Sequence, residues 1–232
     1  MSNEPSQQLS LQFPAKPASL DDLIVTGCNH VSLSVIQRPD AWPGGVFCLV
    51  GPEKSGLTTA GHAWATTFDG YMITASQFDA FSSIDIEKEA GKAFVIDRAD
   101  LFENETALLT LLNMVQRRGG YVLLLSRRPP ALWDVVSPDL ASRLRAMPSA
   151  TIDPPDEAMI IAYLEEAGRQ RHIKLDPKVV SFLATRLETS YAALHTFIRR
   201  LDQHISDTGR GATIPEVKKV LADMSGEPIQ ED

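Results

Sequence analysis

The sequence predicts an α/β fold, a parallel sheet flanked by helices, followed by a small all-helical domain. Three observations carry this prediction. Short apolar runs alternate with helical stretches from about Trp42 onward. A glycine-bounded loop joins the first of those runs to a helix. After Asp153-Pro154-Pro155-Asp156 no further strand pattern follows. Short buried runs separated by helices are the signature of βαβ units, whose helices cover both faces of a parallel sheet. A length of 232 residues allows one ordinary domain and a smaller one.

Taken in order, the strands are expected at 46–50, 71–74, 93–96, 121–125 and 150–152, with helices between them at 57–68, 104–118 and 139–146. Pro154 and Pro155 punctuate the chain. Four helices then follow, at about 156–171, 176–187, 190–206 and 214–223. Asp176-Pro177 reads as an N-cap with proline at the first helical position, and Thr213-x-x-Glu216 fits a capping box. The chain thus divides into a flexible tail over 1–22, a sheet domain over 23–153, a helical domain over 154–225 and a frayed end over 226–232. Met147, Met159 and Phe182 are expected in the core, and the histidines at 30, 62, 172, 195 and 204 in surface or packing roles.

Composition removes several functional classes. Hydrophobic residues at 44% and charged residues at 22% are ordinary for a globular protein. The 30 acidic residues outnumber the 22 basic ones, for a net charge of −8, which disfavours bulk binding of duplex DNA by this chain alone. No apolar run approaches the roughly 18–20 residues of a membrane helix. Met1-Ser2-Asn3-Glu4-Pro5-Ser6 lacks the basic and apolar regions of a signal peptide. Cys28 and Cys48 give neither a disulfide framework nor a metal site. These features together lead to the expectation of a cytoplasmic protein without membrane contact or a resident metal.

The chemistry-bearing segment is Gly51-Pro52-Glu53-Lys54-Ser55-Gly56-Leu57-Thr58, directly after the first strand and opening a helix. That is the context of a phosphate-binding P-loop, G-x-x-x-x-G-K-[S/T], in which backbone amides curl around a phosphate at a helix N-terminus. Thr58 stands where a hydroxyl would hold magnesium, with Thr59 beside it. The lysine of the pattern is replaced by Leu57. A charge-assisted hydrogen bond is worth about 1.5–3 kcal/mol net, so its loss weakens triphosphate binding by roughly one to two orders of magnitude. Lys54, inside the loop, is another cation within conceivable reach of a phosphate. A loop that keeps its shape and binds nothing stays open as a reading. Asp97, at the end of the third strand, is placed as the carboxylate that orders magnesium. The next position, where many ATPases carry a second acid, is Arg98, which argues against hydrolysis by this chain.

The strand–loop–helix start, Asp97, Leu123-Leu124-Leu125-Ser126, Asp139-Leu140-Ala141-Ser142-Arg143-Leu144 and the four final helices recur in this order in bacterial replication-initiator AAA+ proteins. Over about residues 6–223 the chain resembles that family, above all its Hda type, homologues of the DnaA initiator without the DNA-binding domain. The pattern ends after the helical domain, with no helix-turn-helix following. The tail carries Gln8-Leu9-Ser10-Leu11-Gln12-Phe13, similar to the peptide that docks into the replicative sliding clamp. Trp42-Pro43-Gly44-Gly45 and Arg128-Pro129-Pro130 resemble Hda proteins of alphaproteobacteria.

The resemblance implies an AAA+ P-loop domain carrying a helical lid. It implies a negative regulator of replication initiation that docks on the DNA-loaded clamp, the β subunit of DNA polymerase III, and promotes hydrolysis of ATP bound to DnaA. DNA would be met only through the clamp, and a second copy of the chain is open as a partner. Gln8 would fix the register of the peptide, Ser10 would lie within it, and Leu9, Leu11 and Phe13 would be its anchors. Arg143 would be an arginine finger acting in trans; fingers in other systems are worth about 10³–10⁵ in rate. Ser126 matches the strand-end residue that senses the γ-phosphate, whereas the lid's nucleotide-sensing arginine is replaced by Thr189. ADP is the nucleotide the resemblance implies, held mainly by amides of 51–58, and magnesium would come only with it. Two alternatives are an AAA+ protein with residual ATPase activity of its own and an accessory that recruits the initiator to the origin.

Overall fold

The computed structural model of the chain describes residues 19–88 and 91–225. The peptide at 8–13 and the end from Gly226 lie outside these residues. Strands β1 (Val46–Val50), β2 (Tyr71–Thr74), β3 (Ala93–Asp97), β4 (Tyr121–Ser126) and β5 (Ser149–Thr151) form one parallel sheet in the order β2-β3-β4-β1-β5. Every residue of β1 is buried, because the strand is paired on both edges and covered on both faces.

Alternation along the strands separates two cores. Phe47, Leu49, Val95, Leu123 and Leu125 face helices α1 (His30–Ile36) and α2 (Leu57–Thr67). Cys48, Val50, Phe94, Ile96, Val122 and Leu124 face α5 (Glu105–Arg118) and α6 (Pro138–Ala146). Two short helices, α3 (Ala75–Asp79) and α4 (Ser83–Lys88), fill the crossover from β2 to β3. Helix α2 lies close on the sheet, since a Cβ at Gly61 would stand 2.5 Å from a methyl carbon of Leu125. Burial also pushes the thiol of Cys48 well above its usual range, so it remains an inert thiol.

The expected strands and the expected helices of the sheet domain are found within one or two residues of their sequence positions. Three helices were not anticipated. Helix α1 reads His30-Val31-Ser32-Leu33-Ser34-Val35-Ile36, a β-branched run that resembles a strand. It is helical because Leu33 and Ile36 can bury together and because two indoles hold its end, Trp64 donating to the Ile36 carbonyl at 2.8 Å and Trp42 to that of Val35 at 3.0 Å. Helix α3 rests on a local capping box, in which the Thr74 N–H donates to the Gln77 side chain at 2.9 Å. The tail boundary drawn at 22 also shifts: residues 20–22 form a 3₁₀ turn whose Leu20 is buried and whose Leu20 N–H donates to Thr67 in α2.

The C-terminal helices are α7 (Glu157–Gln170), α8 (Pro177–Ala184), α9 (Tyr191–Thr208) and α10 (Ile214–Ser225). Asp156, Asp176 and Ser190 cap the first three, accepting from Met159, Lys178 and Ala193 at 2.7, 2.9 and 3.1 Å. Their apolar stripes meet in a separate core around Leu164, Leu183, Leu194, Phe197 and Leu201. Met159 leaves that core for the sheet domain's, while Phe182 is only partly buried.

The expected capping box at Thr213 gives way to a different use of Glu216. Its carboxylate, 8% exposed, accepts from His204 at 2.6 Å, Arg210 at 3.0 Å and Lys219 at 3.1 Å. Three basic groups between α9 and α10 are stronger partners for a carboxylate than one neutral N–H. His204 therefore ties two helices together and is more than a packing residue. Hydrogen bonds from His204, then Lys219 and Arg210, hold the Glu216 carboxyl down to about 2, against an ordinary value of 4.5. A depressed acid contributes stability above its unfolded value and loses it as the pH falls toward its folded value. Thermal unfolding followed by circular dichroism should show Glu216→Gln melting below wild type at pH 7. The difference should shrink between pH 4.5 and 2; a gap that stays constant over that range would rule the linkage out.

Candidate functional site

The loop between β1 and α2 is held from below by the Gly51 N–H, which donates to the Ser126 carbonyl at 3.0 Å. It turns through two left-handed residues, Lys54 at φ 65° and Gly56 at φ 87°. Such a path lets successive amides converge on one point, the geometry of an anion-binding nest. Gly51 is required by space, since a Cβ there would lie 2.6 Å from Ser55 Oγ and 3.3 Å from Leu57 Cγ. Leu57 starts α2 and is 9% exposed, packed in the core with Ile152 close by. The position that calls for a phosphate-binding cation is thus a core position.

Thr58 remains exposed and donates to the Asp97 carboxylate at 2.9 Å. The structure therefore brings together the two side chains that the sequence placed around magnesium. The neighbourhood of Asp97 is otherwise basic. Arg98, left-handed at φ 57°, and Arg128 both approach the nearly buried Asp100 at 3.9 Å, and Arg127 holds Glu53 of the loop at 3.4 Å. No acid occupies the place where water would be activated.

Ser126 departs from the sensing role expected of it. It is completely buried, its hydroxyl donates to the Arg128 carbonyl, and it accepts from the Arg128 N–H at 3.0 Å and the Trp133 indole at 3.2 Å. Those bonds close the turn after β4 and engage the hydroxyl within it. Pro52 and Glu53 lie on the exposed outer side of the loop.

A cavity of about 770 Å³ opens between the loop and the helical domain, lined among others by Lys54, Ser55, Thr59, Tyr163, Tyr191 and His195. Its depth comes from a latch that the sequence did not reveal. The Cys28 N–H donates to Asp156 at 3.0 Å, and the Asp153 N–H donates back to the Cys28 carbonyl at 2.9 Å. The Tyr191 hydroxyl reaches the Asp153 carbonyl at 3.3 Å, with the Cys28 sulfur also at 3.3 Å. Burial, then the Cys28 contact, pushes the phenol of Tyr191 far up, so it stays a proton donor. The sequence carried no signal for this contact of Cys28 with Tyr191, which their packing discloses.

Some features of this cavity suit a phosphate. Ser55 Oγ is buried without a hydrogen-bond partner, Gly51 leaves room above it, and the start of α2 faces the same space. Charge fits less well, with Leu57 in the cation position and Thr189 exposed just before α9 where an arginine was sought. Among the described residues there is no group of three or more His, Cys, Asp or Glu placed to hold a metal, and no helix is long and apolar enough to cross a membrane.

Arg143 lies away from this cavity, on α6 between the buried Leu140 and Leu144. Its side chain is about one-third exposed, and among the described residues its guanidinium is bonded only to Asp139, one turn earlier, at 3.3 Å. An exposed pair of that kind is worth at most about 1 kcal/mol, so the arginine can exchange it for a stronger anion. Restoring the missing cation gives a direct test of the loop. Leu57→Lys should tighten ADP binding in the presence of magnesium by roughly ten- to a hundredfold, read by titration with a fluorescent ADP. An unchanged affinity would mean that the loop does not hold phosphate.

The model of the family "Hda, lid domain" matches residues 156–221, the helical domain described above. Domain III of the replication initiation protein DnaA from Thermotoga maritima superposes with a TM-score of 0.70 at 19% identity, covering 88% of this chain and 95% of that one. AMPPCP-bound DnaA from Aquifex aeolicus gives 0.62 at 16% identity, over 78% of this chain and 64% of that one. The Thermotoga maritima RuvB Holliday junction branch migration motor gives 0.65 at 15% identity, over 89% and 72%. An uncharacterized protein of Haemophilus influenzae is 32% identical over 120 residues, 51% of this chain, which spans about half (52%) of that curated relative's length. The helical domain thus matches the Hda lid, and it is set on a fold like that of DnaA domain III.

Proposed function

We propose that the protein is a DnaA-related negative regulator of replication initiation. Docked through the peptide at 8–13 on a DNA-loaded sliding clamp, it meets ATP-bound DnaA and stimulates hydrolysis of that ATP, with Arg143 entering the initiator's site in trans. The observation that carries this reading is the separation of the two kinds of site. The chain's own loop has a buried leucine where a cation belongs and a basic residue after Asp97, while Arg143 sits outside with one weak partner. Its planar, permanently charged fork suits phosphoryl oxygens. In this reading ADP in the cavity has a structural role, holding the lid against the sheet domain, with magnesium present only alongside it.

The contact between Thr58 and Asp97 at 2.9 Å favours a second reading, in which magnesium–ATP still binds and is slowly hydrolysed by this chain itself. One assay separates the two. Hydrolysis by ATP-loaded DnaA, in the presence of DNA-loaded clamp, should rise when the protein is added. It should return to baseline with Arg143→Ala, and with a form lacking residues 1–13. Stimulation that survives Arg143→Ala would remove the finger. Stimulation that survives the deletion would remove the clamp and favour direct recruitment to the initiator.

A further inference from the structure

Two basic groups lining the cavity have no hydrogen-bond or ion-pair partner among the described residues. Lys54 projects from the left-handed turn of the loop, and His195 lies on α9, one turn into the helix. The other basic groups lining the space are already matched. Arg169 is bonded to Glu166 at 2.6 Å, and Arg171 to Asp202 at 2.6 Å. Asp22, also on the lining, caps its own turn by accepting from the Ser19 N–H at 2.8 Å. Arg199, one turn beyond His195, is exposed on the helix surface.

We propose that Lys54 and the imidazolium of His195 replace the absent lysine at position 57, so that a nucleoside diphosphate is gripped by the loop and the lid together. The proposal rests on the reading that the cavity holds ADP, and it assigns the groups that hold its phosphates. Ser55 Oγ, buried and unpartnered beside Lys54, would supply a neutral hydrogen bond to the same phosphates. A cation delivered from the lid makes the grip depend on lid position, which a lysine inside the loop would not.

The surroundings of His195 favour its neutral form. Burial, and then the charges of Lys54, Arg171 and Arg199, hold its imidazole below the ordinary histidine value. Bringing a phosphate dianion beside it reverses the balance, because an opposite charge favours the protonated ring. Binding therefore takes up a proton, and affinity increases as pH falls, by at most about tenfold per pH unit for one linked proton.

The test is calorimetric titration of the full chain with ADP and magnesium between pH 6 and 8, for wild type, His195→Gln and Lys54→Met. Titration of ADP itself is common to all three proteins, so the difference between their profiles is the readout. Wild type should gain affinity toward low pH relative to His195→Gln, with proton uptake visible as a dependence of the heat on buffer ionisation. Lys54→Met, at an exposed position that does not threaten folding, should weaken binding roughly tenfold or more at every pH. Parallel profiles for wild type and His195→Gln, or full affinity in Lys54→Met, would overturn the assignment while leaving ADP as the ligand. No binding of ADP to wild type at any pH would overturn the nucleotide reading itself.

Discussion

The pairing of β1 on both of its edges is the constraint from which the rest of the site follows. Val46 to Val50 are hydrogen-bonded to β4 along their whole length and to β5 over the last three residues, and all five are buried. The loop that leaves this strand starts from a fixed point and is further tied to β4 through Gly51. Its curl therefore persists although the residue that usually profits from it has become Leu57. Backbone shape and side-chain chemistry come apart here: the first is set by the sheet, and only the second has been lost.

The distribution of charge points the same way. Around Asp97 the chain places Arg98, Arg127 and Arg128, matched to Asp100 and Glu53 within the same set of turns. These pairs tie together the loops at the carboxyl ends of β3 and β4. Arg143 follows the opposite arrangement, anchored by hydrophobic neighbours and left with an exposed partner.

Much of this was legible in the sequence. Buried parallel strands announce themselves as short apolar runs, and the caps Asp156, Asp176 and Ser190 sit where helix starts were expected. The loop and Thr58 were read from the strand–loop–helix pattern and Asp97 from its place at a strand end, and the fold brings the two side chains into contact. What escaped depended on partners distant in sequence. Helix α1 is fixed by Trp42 and Trp64 together with the burial of Leu33 and Ile36, and Glu216 abandons its local cap for His204 in another helix. Ser126 carried a misleading local signal, because its true partners, Arg128 and Trp133, are backbone and indole groups of the following turn. The segment around Cys28 had no signal at all, since its importance lies in main-chain bonds that any sequence can make.

That segment gives the two domains a particular mechanical relation. The polar links from the lid converge on Cys28, through Asp156, Tyr191 and the neighbouring Asp153. Links gathered at one point act as a pivot, resisting translation of the lid while leaving rotation comparatively free. The end of α7 that carries Arg169 lies about three and a half helical turns from that point, whereas His195 on α9 is one turn from Tyr191. Whatever fills the cavity would consequently control an angle, and the orientation of the whole helical domain would report whether it is filled.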